Sequence, residues 1–118
     1  MSDYDAARVN MIERQLRPNK ITDDRLIGAF ATIRRELFVP ERLRGIAYAD
    51  DDLPLGSGRY VMAPMVAARL LQAAEASRND NALVVGAGDG CEAALLSQLC
   101  RRVVALEQDA ELARRGRA

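Results

Sequence analysis

"ALVVGAGDGC", from Ala82 to Cys91, sets glycines at 86, 88 and 90 directly behind an unbroken apolar run. The run has the length and composition of a buried strand. The next residues, "CEAALLSQLC", carry Leu95, Leu96 and Leu99 at helical spacing. "RVVALE" then reads as a second strand, and Asp109 can cap a helix behind it. Strand, bare turn, helix and strand make one βαβ unit, which dictates a parallel pair. In such a unit the first glycine permits the tight turn. The second lets the backbone approach a ligand, and the helix start presents N–H groups to it.

Glu107 ends the second strand 21 positions after Gly86. That is where an acid accepts the two hydroxyls of a ribose; a solvated strand-end charge would occupy the same position. A dinucleotide fingerprint requires glycine at 91, where Cys91 stands, so a nicotinamide-dependent oxidoreductase is poorly supported. The G-K-[S/T] of a phosphate loop is absent.

The first half reads as helical. Ser2 and Asp5 are spaced for a capping box, and Val9, Ile12 and Leu16 follow at helical intervals until Pro18. Thr22 is placed to cap a second helix with Leu26, Ile27, Phe30 and Ile33 on one face. "ELFVPERLRGIAYAD" predicts short helical turns around Pro40. Asp50 to Pro64 predicts a long loop, a surface connection or a functional one, with an extended piece at Arg59–Met62. Pro64 suits the first turn of a helix running to about Ser77. The expected division is a helical and loop part over residues 1–63 and the first part of a nucleotide-binding α/β unit over 64–118.

Composition narrows the function. With 17 basic and 17 acidic residues the formal charge is zero, so no net basic field marks nucleic acid or an anionic membrane as partner. No apolar stretch approaches a membrane span, and the polar start is unlike a signal peptide; the cytoplasm is the expected location. Absence of histidine removes imidazole triads and ordinary Cys/His zinc sites, and no metal is expected. Cys91 and Cys100, nine residues apart on one helix at about 1.5 Å each, are too far apart to pair. Packing is their expected role, with Cys91 at a helix start the one candidate for a lowered thiol pKa.

The spacing G-x-G-x-G resembles that of S-adenosylmethionine-dependent methyltransferases. With "ERQLR", "RRELFVP", "AYADDDLPLGSG", "VVGAGDG" and "VVALEQDAELA" in order, the chain resembles the protein-L-isoaspartate O-methyltransferases over nearly its whole length. The resemblance implies a Rossmann-like methyltransferase fold, incomplete here: N-terminal helices plus the first βαβ unit. It implies S-adenosylmethionine as cofactor, with Gly86, Gly88, Asp89 and Gly90 at its turn and Glu107 on its ribose. The implied reaction methylates the α-carboxyl of isoaspartyl residues in damaged proteins, with isoaspartyl proteins or peptides as partners. A carboxylate is already a nucleophile and a sulfonium an activated methyl donor, so a histidine-free chain is no obstacle. The family's sheet is larger than one βαβ unit. The chain therefore reads as the N-terminal part of a longer protein, inactive alone and open to self-association through its exposed sheet edge.

Two stretches depart from the family. Tyr60 and Met62 stand where it has Thr and Ser near the acceptor carboxyl, which makes Arg59 and Tyr60 the candidate catalytic residues on the substrate side. Val84 stands where the family has an acid two positions before the first glycine. Two alternatives follow: the same fold acting on a different acceptor, or a non-catalytic cofactor-binding relic.

Overall fold

The computed structural model describes residues 2–117. Ser2 closes the expected capping box with Asp5 at the start of α1 (Asp3–Met11). A π-helical segment (Ile12–Leu16) and a 3₁₀ turn (Arg17–Asn19) continue it to Lys20, which adopts the left-handed conformation. The buried stripe is Arg8, Met11, Ile12 and Leu16, whereas Val9, expected on it, is exposed. Helix α2 (Asp24–Thr32) is capped by Asp23, not Thr22; the Asp23 carboxylate accepts from the N–H groups of Arg25 and Leu26. Its Leu26, Ile27 and Phe30 are buried as expected. Two 3₁₀ segments, Arg35–Phe38 and Glu41–Ile46, flank Pro40.

The stretch expected to be a loop is a hairpin. Strands β1 (Leu53–Gly56) and β2 (Arg59–Val61) pair antiparallel, Leu53 opposite Val61, with an irregularity between Pro54 and Gly56. Leu53 and Leu55 alternate inward, and positive φ at Gly56, Ser57 and Gly58 makes the reversal. Asp52 pins the far end by accepting the N–H of Ala63 at 2.8 Å.

Pro64 opens α3 (Pro64–Ala74), which stops three residues short of the expected Ser77 because Glu75 turns left-handed. Strand β3 (Asn81–Val85), helix α4 (Cys91–Ser97), β4 (Arg102–Leu106) and α5 (Ala110–Arg117) complete the order. β3 and β4 pair in parallel, as the βαβ reading requires, with Leu83 beside Val104 and Val85 beside Leu106. Those four side chains share one open face, on which Leu83 is 61% and Val85 75% exposed.

A hydrophobic cluster runs from Met11 and Leu16 through Leu26, Phe30, Leu53, Val61 and Ala68 to Cys91, Leu95 and Leu112. Polar ties back it. Gln72 of α3 accepts from the N–H groups of Thr22 and Asp23 and donates to the Lys20 carbonyl. Arg25 of α2 donates to the Leu99 carbonyl. The helical layer is thereby held to α3 and to the end of α4, while the buried Leu53, Leu55 and Val61 seat the hairpin, with Leu55 and Arg59 against the glycine turn.

Candidate cofactor and acceptor site

The turn after β3 is built as its glycines predict. Gly86, Gly88 and Gly90 have φ of +69°, +60° and +93°, in the left-handed region where a side chain is strained. At Gly88 space is short as well: a Cβ there would lie 3.1 Å from Leu55 Cδ1 of the hairpin. The Ala87 N–H donates to the Leu106 carbonyl, which ties the turn to the end of β4.

Glu107 stands at that end and is almost closed off, its side chain 4% exposed. All four of its acceptor positions are used. Oε1 accepts from the Gly88 N–H at 2.7 Å and from Arg59 Nη2 at 2.5 Å. Oε2 accepts from the Asp109 N–H at 2.7 Å and from Arg59 Nη1 at 2.8 Å. The Arg59 guanidinium, foremost, and the Asp109 and Gly88 amides stabilise the carboxylate and pull its pKa down to about 2 against the effect of burial. The same contact raises the pKa of Arg59.

Two cavities flank the turn. One, of about 430 Å³, lies between the hairpin, α3 and the turn, with Tyr60, Met62, Gly86, Gly88, Asp89 and Glu92 in its wall. The other, of about 840 Å³, is bounded by Gly88, Gly90, Glu107 and Arg115. In the first, Asp89 Oδ1 and Glu92 Oε1 are buried without a hydrogen-bond donor among the described residues. Arg115 Nη1 stands 3.8 Å from that Asp89 oxygen, and the Asp89 side chain is 6% exposed. Burial raises the pKa of both carboxyls: Arg115 only partly offsets it at Asp89, and the Glu92 backbone amide and Arg35 only partly at Glu92. These two oxygens are acceptors open to the N–H groups of a ligand.

The residues read from the sequence are therefore divided. Gly86, Gly88, Arg59 and Glu107 meet in one cluster, Tyr60 and Asp89 line the first cavity, and Gly90 begins α4. Arg59 is not aimed at open space for an acceptor; it is bound to Glu107. Cys91 packs in the core as expected, and burial pushes its thiol up to about 12, so the helix start does not lower it. Glu92 escaped the sequence reading, although its spacing of three from Asp89 at the start of a helix is a signal that both face one way.

The family described as protein-L-isoaspartate(D-aspartate) O-methyltransferase matches residues 7–118. A protein-L-isoaspartate O-methyltransferase of Koribacter versatilis (strain Ellin345) is 45% identical over 106 residues, covering 90% of this chain and 48% of that protein. Its counterpart in Aeropyrum pernix is 42% identical over 113 residues, covering 93% and 44%. The chain thus spans about half the length of the curated relatives it matches. Among solved structures, a protein-L-isoaspartate O-methyltransferase superposes with a TM-score of 0.78 at 21% identity, over 93% of this chain and 37% of that one. A Plasmodium falciparum structure described as a beta-aspartate methyltransferase, in complex with S-adenosyl-L-homocysteine, gives 0.70 at 19% identity, over 98% and 54%. These two likenesses support the fold: the first strands and helices of a Rossmann-like methyltransferase.

Proposed function

The chain belongs to the protein-L-isoaspartate(D-aspartate) O-methyltransferase family, and from that premise we propose that the full-length protein is an S-adenosylmethionine-dependent carboxyl methyltransferase acting on isoaspartyl residues of damaged proteins. The observation that carries the cofactor reading is the contact of Glu107 with the Gly88 amide: an acid at the end of the second parallel strand, seated on a positive-φ glycine turn.

The residues present fit the cofactor. Gly86, Gly88 and Gly90 put no side chain of their own into the space the methionine portion needs. Glu107 has the chemistry to accept the ribose hydroxyls. Asp89 Oδ1 and Glu92 Oε1, which have no hydrogen-bond donor among the described residues, suit the ammonium group, a task for which Val84 offers nothing. Bound there, S-adenosylmethionine supplies an activated methyl group on a sulfonium. The chain's own work is to bind, orient and exclude water: Leu55, Val61 and Leu71 wall the first cavity with apolar surface. No proton needs to be removed from an ionised acceptor carboxylate, which accords with a site built without histidine.

Tyr60 and Met62, both in the wall of that cavity, favour a second reading with a different carboxylate as acceptor. The test is transfer of labelled methyl by the full-length protein to an isoaspartyl peptide and to its aspartyl twin. Labelling of the isoaspartyl peptide alone is the expected result. Binding of S-adenosylhomocysteine without labelling of either peptide moves the assignment to the second reading. No binding at all removes both.

A further inference from the structure

Glu107 has no free acceptor position, and that bears directly on how a ribose would reach it. A carboxylate offers about four lone-pair sites. Here they are taken by the Gly88 and Asp109 amides and by both terminal nitrogens of Arg59. A cis-diol needs two of them. The amide donors belong to the turn and to the entry of α5, whose Asp109 carboxylate in turn holds the N–H groups of Glu111 and Leu112. Removing either amide would dismantle the local backbone. Arg59 is different: it reaches across from a three-residue strand, its side chain is 32% exposed, and it has long-chain freedom to leave. Its guanidinium also lies over the cradle, with Nη2 3.5 Å from where a Cβ on Gly86 would be. It therefore covers backbone as well as filling the acceptor sites.

We propose that Arg59 is a stand-in for the ribose diol, holding Glu107 until a diol-bearing ligand exchanges for it, so that Arg59 sets both the affinity for the cofactor and the site's discrimination for its two hydroxyls. The inference rests on the cofactor reading above and adds to it a competing occupant supplied by the protein itself. Two N–H donors in a planar fork satisfy the carboxylate as two hydroxyls would, which keeps the acid ionised and oriented while no ligand is present. Every ligand that uses Glu107 must first break that bidentate contact, and its apparent affinity is reduced by the fraction of molecules in which Arg59 is docked.

The experiment is calorimetric titration of S-adenosylhomocysteine into the full-length protein and its Arg59→Ala and Arg59→Gln variants. Competition by adenosine and by 2′,3′-dideoxyadenosine is measured alongside, and far-UV circular dichroism checks that each variant is folded. Removal of the competitor is expected to tighten S-adenosylhomocysteine binding roughly tenfold. It is also expected to widen the preference for adenosine over its dideoxy analogue by a similar factor, since the diol then meets a vacant Glu107. A purely structural role would loosen binding of both nucleosides alike. Wild-type binding with no tightening in either folded variant overturns the exchange and leaves the cofactor reading standing. Absence of binding in all three proteins overturns the cofactor reading, and the exchange with it.

Discussion

Two arginine–glutamate pairs in this chain use the same chemistry to different ends. In the helical layer, Arg8 Nη2 lies 3.2 Å from Glu36 Oε1. Tyr48 closes that unit, donating its hydroxyl to Glu36 Oε1 at 2.6 Å and accepting from Arg8 Nε at 2.8 Å and from the Arg35 N–H at 3.0 Å. Its ring also lies 5.6 Å from the Arg8 guanidinium carbon. Tyr48 borders two other cavities, but Arg8 and Glu36 line neither of them. At the glycine turn, Arg59 and Glu107 form an equally well-made pair, but it sits beside two cavities, in one of which Asp89 Oδ1 and Glu92 Oε1 have no hydrogen-bond donor among the described residues. The first pair, whose own two side chains line none of these cavities, positions the chain. The second, flanked by two cavities, is the place where a ligand would exchange.

The sharpest way to break this contrast is to remove one acid from each pair. Glu36→Ala leaves the Arg8 guanidinium, 8% exposed as a residue, without its buried partner. The expected loss is about 3 kcal/mol or more of stability, read as a lower urea midpoint at unchanged slope. Glu107→Ala is expected to cost less stability and more function. S-adenosylhomocysteine binding should fall by on the order of a hundredfold, because a site built to receive hydroxyls loses its acceptor. Equal stability losses with intact binding would erase the distinction.

How far the sequence carried this reading depends on distance along the chain. Positive φ at Gly86, Gly88 and Gly90, the parallel pairing and the Asp109 cap all follow from residues within one βαβ unit. The Arg59–Glu107 contact joins residues 48 positions apart, and no local pattern announces it. The hairpin was legible in principle: Leu53 and Leu55 alternate and Gly56–Ser57–Gly58 is a turn, but Pro54 and the acidic lead obscured the period. Thr22 and Asp23 are adjacent cap formers, and only the backbone path selects Asp23. The Arg8–Glu36–Tyr48 unit hides for a further reason. Arg8 and Glu36 are ordinarily surface residues, and burying them depends on a tyrosine 40 positions from Arg8.

Tyr48→Phe probes the closed pair more gently. It removes one hydroxyl that serves three partners while keeping the ring, and about 1–2 kcal/mol of stability should be lost. The loss carries a pH signature. Burial, then the Glu36 hydrogen bond, push the Tyr48 hydroxyl up to about 12, above its ordinary value of 10.0. A raised pKa means that the folded state favours the protonated form. The contribution is whole below pH 10 and is lost as pH rises toward 12. Wild type should converge on the phenylalanine variant over that window in thermal melts, and parallel curves would contradict the hydroxyl's role.

The exchangeable pair should give the smallest stability effect, at the opposite end of the pH scale. Glu107 is held down to about 2 from an ordinary 4.5, chiefly by Arg59. A depressed carboxylate contributes stability that is whole above pH 4.5 and is lost as pH falls through about 2. From pH 7 to 4.5 the melting temperatures of wild type and Arg59→Ala should therefore differ by a constant, small amount, since a partly exposed arginine is weakly held. Below that range the difference should close. The amide donors of Gly88 and Asp109 remain in the variant, so they set the part of the depression that survives there. A difference that stays constant down to pH 2 would mean that Arg59 acts by packing on the Gly86 cradle rather than through the Glu107 carboxylate, because of the two partners only Glu107 titrates in that window and the other carboxyls are common to both proteins.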